Sequence, residues 1–325
     1  MGGISNRTAV YCNEQGKYIL LQNDEHGFAN PGGSWKNQNP DLAVVGDSFA
    51  HGACVPSEQS VSALLRETYP TTLNLGNDGN GPLAELATLK EYLSVLKPKV
   101  LLWVYCETND LTDLIQERRS LLINYLDPLY TQGLVLKQRE IDDALMSYTE
   151  LMAFGGTATI RLAGLLRGLF QVDNYNGRVE ELIKLSYVWK LLAGIFKPTP
   201  ESSVEQVTPS VSPQDLDLFK QIVKSAKDTV YDWGGKMIFV YLPQFERYAE
   251  TGQANPHYQT VLSIVSELKI PIVDIVPVFW RQPDPLDLFP FRQPAHYTPE
   301  GYDIVAQEIR RFLQMEMPLQ SSPPL

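Results

Sequence analysis

Apolar residues fall into two rhythms along this chain. Leu42–Val45, residues 100–105 and Lys236–Leu242 are short apolar runs, rich in β-branched and aromatic residues, with no polar alternation. Such runs predict strands covered on both faces, as in a parallel sheet between helices. Residues 71–75 and 271–275 supply two more. Between them the spacing changes to that of helices. Val61, Leu64, Leu65 and Tyr69 share one face, as do Leu83, Leu86, Leu89, Leu93 and Leu96 after Pro82. Further helices are predicted over residues 215–233, 258–268 and 298–313, the last opening on Thr298-Pro299-Glu300.

This alternation implies right-handed crossovers and a flavodoxin-like, doubly wound parallel sheet of five strands, an α/β fold. Two segments break it. Residues 8–12 and 17–22 flank Asn13-Glu14-Gln15-Gly16 and predict a hairpin packed at an edge of the main sheet. Residues 111–233 lose the strand rhythm and form a helical insertion, with amphipathic stretches at 160–170 and 182–196 and a proline- and serine-rich linker at 197–214. The expected organisation is therefore an N-terminal hairpin extension over residues 1–34 and one domain over 35–325, carrying the insertion 111–233.

Polar residues gather where the strands stop. The first strand ends in Gly46-Asp47-Ser48, the second in Gly76-Asn77-Asp78-Gly79-Asn80-Gly81, and the third in Glu107-Thr108-Asn109-Asp110. His296 precedes the last helix. In an open α/β sheet the carboxyl ends of the strands are where ligands bind, so serine, glycine loop, asparagine and histidine can converge there. By itself Ser48 reads as a helix N-cap; with the other three in place it reads as a nucleophile.

These blocks resemble the SGNH or GDSL hydrolases. Gly46-Asp47-Ser48-Phe49 is similar to the family's first block, with phenylalanine where leucine is common. Asn74 with Gly79, Asn109-Asp110 and His296 resemble the remaining three. The resemblance covers residues 41–110 and 236–313 and departs at two places: Glu107 stands where glycine is usual, and Gln293 where the aspartate partner of the histidine is usual. It implies Ser48 as nucleophile and His296 as base, with the Ser48 and Gly79 N–H groups and the Asn109 amide as oxyanion donors. The acid is open among Asp287, Asp284, Gln293 and a backbone carbonyl, with Asp287 preferred. Glu107, near the mouth, is a candidate substrate-binding group or a partner for Arg292. The chemistry fits: histidine titrates near neutrality and can take the serine proton, while fixed donors stabilise the tetrahedral oxyanion. Ala50 in place of a second glycine argues against the Gly-x-Ser-x-Gly elbow of the other large serine-hydrolase class.

The implied activity is that of a serine esterase or deacylase acting on O-acetyl or short acyl esters, carbohydrate esters among them. The alternatives are O-acyl transfer to polysaccharide and a non-catalytic carbohydrate-binding protein on the same scaffold. No cofactor or metal is expected, because no histidines or cysteines carry zinc spacing. His51, His26 and His257 read as structural or surface residues.

Charge and cysteines refine the picture. A formal net charge of -11 over 325 residues disfavours nucleic acid. Cys12, Cys54 and Cys106 make an odd count and are expected as buried thiols. No apolar run is long enough to span a bilayer and no secretory signal shows at the start, so the chain as given reads as soluble. Its compartment is open between the cytoplasm and, if an N-terminal anchor has been removed, a bacterial envelope. Lysines and arginines beside Trp189 in the insertion allow peripheral membrane contact as an alternative to a packed core or a lid.

Overall fold

A computed structural model describes residues 2–153, 210–250, 252 and 254–316. The amphipathic stretches at 160–170 and 182–196, Trp189 and nearly all of the linker lie outside the described residues. Two strands, β1 (Thr8–Val10) and β2 (Leu20–Gln22), form the N-terminal hairpin. Among the described residues they pair only with each other. The core follows: β3 (Leu42–Val45), the one-turn α1 (Ser48–His51), α2 (Val61–Arg66), β4 (Leu73–Asn74) and α3 (Pro82–Thr88). α3 passes through a π turn at Leu89–Leu93 into α4 (Ser94–Leu96), where the apolar spacing alone predicts one unbroken helix. After β5 (Val100–Cys106) come α5 (Asp110–Glu117), α6 (Gln138–Ala153) and α7 (Pro213–Asp232). β6 (Lys236–Leu242), α8 (Tyr258–Glu267), β7 (Ile272–Asp274), α9 (Val276–Trp280) and α10 (Pro299–Glu316) complete the described chain.

The main sheet is parallel throughout, in the order β4-β3-β5-β6-β7. Core strands one to five thus lie as two-one-three-four-five, the flavodoxin-like order. β5 shows why its sequence has no polar alternation. Leu101, Trp103 and Tyr105 point into one apolar layer with α3, α5 and α7, while Val100, Leu102, Val104 and Cys106 point into the other with α2 and α10. Every residue of β5 is buried. At about 25 cal/mol per Å² of apolar surface, this two-sided burial is the main force holding the sheet.

α7 begins with a capping box, Ser212 and Asp215 exchanging side-chain to backbone hydrogen bonds, and the Asp215 carboxylate also pairs with Arg118. The described part of the insertion packs on the first layer through Leu122, Tyr125, Leu134 and Ile141.

Among the described residues the hairpin adds no strand to the main sheet and gives its edge no ladder hydrogen bonds. The segment after it makes that contact instead. Asn30 donates to the Asn74 carbonyl and accepts from the Asn74 N–H, both at 2.7–2.8 Å, so one side chain satisfies the exposed edge of β4. Asp24 organises this segment, accepting from the N–H groups of His26 and Phe28, the Asn30 amide and the Trp35 indole. Freed from the sheet, the hairpin loop crosses toward the carboxyl end of β3.

Candidate active site

β3 delivers Ser48, the candidate nucleophile. Its apolar run ends at Gly46, and Asp47 caps α1 by accepting from the Phe49 N–H at 2.8 Å. Ser48 is thereby the first residue of a single helical turn at the rim of the sheet, the residue as a whole 6% exposed. The loop after β4 braces this turn from behind. Gly76 lies so close that a Cβ there would stand 2.3 Å from the His51 nitrogen and 2.5 Å from the Ala50 carbonyl carbon.

His296 arrives from the segment before α10. Its Nε2 lies 2.8 Å from Ser48 Oγ, and its ring rests against Phe49 with centroids 4.8 Å apart. Its Nδ1 lies 2.9 Å from Glu14 Oε1, and its backbone N–H donates to Glu14 Oε2 at 2.9 Å. A carboxylate on Nδ1 places the ring proton there and leaves Nε2 as acceptor for the serine hydroxyl. Burial draws the Glu14 carboxyl upward, but the hydrogen bonds and positive charge of His296 outweigh it and hold Glu14 below its ordinary range.

Glu14 is the acidic residue that sequence reasoning missed, and it comes from the hairpin loop. Asp287 does not contact His296: its side chain is 64% exposed and bonds Arg292, as does that of Asp284. Gln293 is not the orienting group either. Glu107 also departs from expectation. It is buried and accepts from the Tyr241 hydroxyl at 2.6 Å, the Gln244 N–H at 2.8 Å and both arms of the Arg247 guanidinium. Its carboxylate is fully engaged in clamping β5 to the segment after β6, so it neither presents to substrate nor meets Arg292.

Asn109 sits at the N-cap of α5, at the end of β5. Its amide donates to Asp113 Oδ2 at 2.9 Å and faces Asp47. Gly79 takes φ +73°, a left-handed conformation that glycine adopts without a Cβ penalty, in the turn closed by Asn80 N–H on the Asn77 carbonyl. Behind Ser48 lies a buried carboxyl group, Asp47, pushed up to about 6 by burial. Glu85 and Asp110 are raised well above the ordinary carboxylate range, first by burial and then by neighbouring carboxylates: Asp47, Glu117 and Asp113 act on Glu85, and Glu85, Asp47 and Asp113 act on Asp110.

Cys12 and Cys54 are joined in a disulfide, which corrects the expectation of three thiols; Cys106 remains a buried thiol. Cys54 Sγ lies 3.6 Å from His296 Nδ1. Glu14, Cys54 and His296 are the group of three metal-type donors found among the described residues, but the sulfur is spent in the disulfide and Nδ1 on the carboxylate. No described helix is long and apolar enough to cross a membrane.

No family model and no curated protein matches the chain. Solved structures are similar to it at low identity. One, from Desulfitobacterium hafniense, is described as a lipolytic protein of the G-D-S-L family: TM-score 0.44, 14% identity, covering 84% of this chain and 99% of that one. A lipase/acylhydrolase from Enterococcus faecalis gives 0.43 and 12%, covering 86% and 99%. A two-domain esterase active on acetylated mannans gives 0.44 and 12%, covering 90% and 53%. The sheet order is the flavodoxin-like parallel order expected from the sequence, and Ser48, Gly79 and Asn109 follow the carboxyl ends of three neighbouring strands, with His296 beside Ser48.

Proposed function

We propose that the chain is a serine ester hydrolase of SGNH type, working through an acyl-enzyme on Ser48. The observation that carries this is the continuous relay from Ser48 Oγ through His296 Nε2 and Nδ1 to Glu14, each link 2.8–2.9 Å. As Oγ attacks the ester carbonyl, its proton passes to Nε2 and the carbonyl oxygen takes the negative charge. The Ser48 and Gly79 N–H groups and the Asn109 amide are the proposed donors for that oxygen, each contributing on the order of 3 to 4 kcal/mol, the Asn109 amide by giving up its hydrogen bond to Asp113 or Asp47. The tetrahedral adduct collapses, the bond to the alcohol oxygen breaks, and His296 gives that oxygen its proton. Water then repeats the sequence with His296 as base and releases the acid. Glu14 stays ionised throughout and stabilises the imidazolium.

The His296 side chain is 22% exposed, so water can reach the proposed base, and hydrolysis is proposed over transfer. O-acetyl or short acyl esters, on carbohydrate among others, are the proposed substrates.

A fluorophosphonate probe tests the reading: Ser48 becomes labelled in the folded protein and Ser48→Ala does not. Absence of labelling in a folded sample overturns the enzymatic reading in favour of a carbohydrate-binding module. Product analysis with an acetyl ester and an oligosaccharide acceptor then separates release of acetate from transfer.

A further inference from the structure

The hairpin that supplies Glu14 has little of its own to hold it in place. It has three residue pairs, continued toward the loop by backbone hydrogen bonds from the Tyr11 N–H to the Ile19 carbonyl and from the Ile19 N–H to the Cys12 carbonyl, and adds no strand to the main sheet among the described residues. Isolated two-stranded ribbons are marginal in water. An orienting carboxylate, however, must stay within a fraction of an ångström of its histidine.

Three ties bracket Glu14. Two residues before it, Cys12 is cross-linked to Cys54, with Cα atoms 5.4 Å apart. One residue after it, Gln15 Nε2 donates to the Cys54 carbonyl at 2.9 Å. Next to Cys12, the Tyr11 ring meets the His51 ring edge-on with centroids 4.8 Å apart. All three end on the same short stretch that carries Ser48: His51 is the last residue of α1, and Cys54 is buried just beyond it.

We propose that the Cys12–Cys54 disulfide, seconded by Gln15, is a positioning element of the catalytic apparatus, making nucleophile turn and acid loop one cross-linked unit. This rests on the reading of Glu14 as the group that orients His296. Reduction by a dithiol transfers two electrons and two protons to the sulfurs, converts the reagent to its own disulfide and leaves Cys12 and Cys54 as thiols. The loop then keeps Gln15 and Tyr11 as its only ties to the nucleophile turn among the three described.

The test uses the full chain and p-nitrophenyl acetate. Complete reduction, verified by titrating three thiols in denaturant, is expected to lower kcat by roughly 10- to 100-fold with KM within about twofold, the penalty of a misplaced catalytic group. Reoxidation restores it. Cys12→Ala/Cys54→Ala is expected to show the same low kcat and no response to dithiol. In Glu14→Gln, where there is no carboxylate left to position, reduction is expected to change kcat by less than about twofold.

Unchanged kcat in fully reduced wild type overturns the proposal. So does an equal further loss on reducing Glu14→Gln, or loss of far-UV circular dichroism on reduction, since either makes the bond a general stabiliser. Failure of the underlying reading looks different: Ser48 resists the fluorophosphonate, or oxidised Glu14→Gln turns over like wild type.

Discussion

At the scale of single residues, the contact between Glu14 and His296 separates two histories of the same carboxylate chemistry. The chain offers Asp284 and Asp287 close before the histidine, yet both are committed to Arg292 at the surface. The residue on Nδ1 lies 282 positions away. Glu14→Gln keeps the shape, but its amide no longer enforces the Nδ1–H tautomer or balances the imidazolium. It is expected to lower kcat by about 10² to 10⁴, with KM little changed. Asp287→Asn is expected to stay within about twofold of wild type, because an exposed pair to arginine contributes little. Steady-state kinetics of the two variants decide between these carboxylates. Ser48 and His296 were legible because each sits in a local block at a strand or helix boundary. Glu14 belongs to no block, since the fold rather than any spacing brings it to the histidine. The one trace of it in the sequence is Cys12 two residues before it, with Cys54 six residues after Ser48.

At the scale of elements, the nucleophile turn depends on its neighbour. α1 is one turn long and cannot hold its own geometry by internal hydrogen bonds. The end of β4 and the loop after it support it, through Asn74, whose amide donates to the His51 carbonyl at 3.1 Å, and through Gly76. Gly76→Ala forces a methyl into the His51 nitrogen and must displace either the loop or α1. A loss of roughly 1 to 3 kcal/mol in urea unfolding is expected, together with a fall in kcat as Ser48 moves off His296. Normal kcat at lowered stability would show that the loop yields and the helix does not. The strands themselves were readable because two-sided burial demands uninterrupted apolar runs. The π turn at Leu89–Leu93 was not, because its positions keep a helical apolar face and the widened turn answers to packing. The hairpin's placement was likewise unreadable, since alternation says which face is apolar but not which surface receives it.

At the scale of the whole molecule, burying polar groups around the site ties its construction to the stability of the fold. His51 is buried, its Nδ1 has no hydrogen-bond partner among the described residues, and burial with the nearby charge of His296 brings its pKa down to about 4. Unfolded, it titrates near 6.5. Between about 6.5 and 4 the unfolded chain therefore takes up a proton that the native state refuses, and stability falls as pH falls, by roughly 3 kcal/mol over the window. Asp47 acts in the opposite sense. Its pKa of about 6 in the fold means that the native state binds a proton in the range where the unfolded carboxyl is already ionised, so stability rises as pH falls from about 6 toward 4. The two contributions oppose each other across the same interval. Replacing His51 by glutamine removes the first and leaves the second. Whatever the substitution costs at pH 7, the change in unfolding free energy from pH 7 to pH 4 should become more favourable in His51→Gln than in wild type, by about 2 to 3 kcal/mol. Guanidinium unfolding of both proteins at the two pH values reads this double difference, in which the other buried carboxyls, Glu85 and Asp110, cancel. Parallel pH profiles for the two proteins would mean that His51 does take up its proton in the fold, with an acceptor or a water reaching the interior behind Ser48.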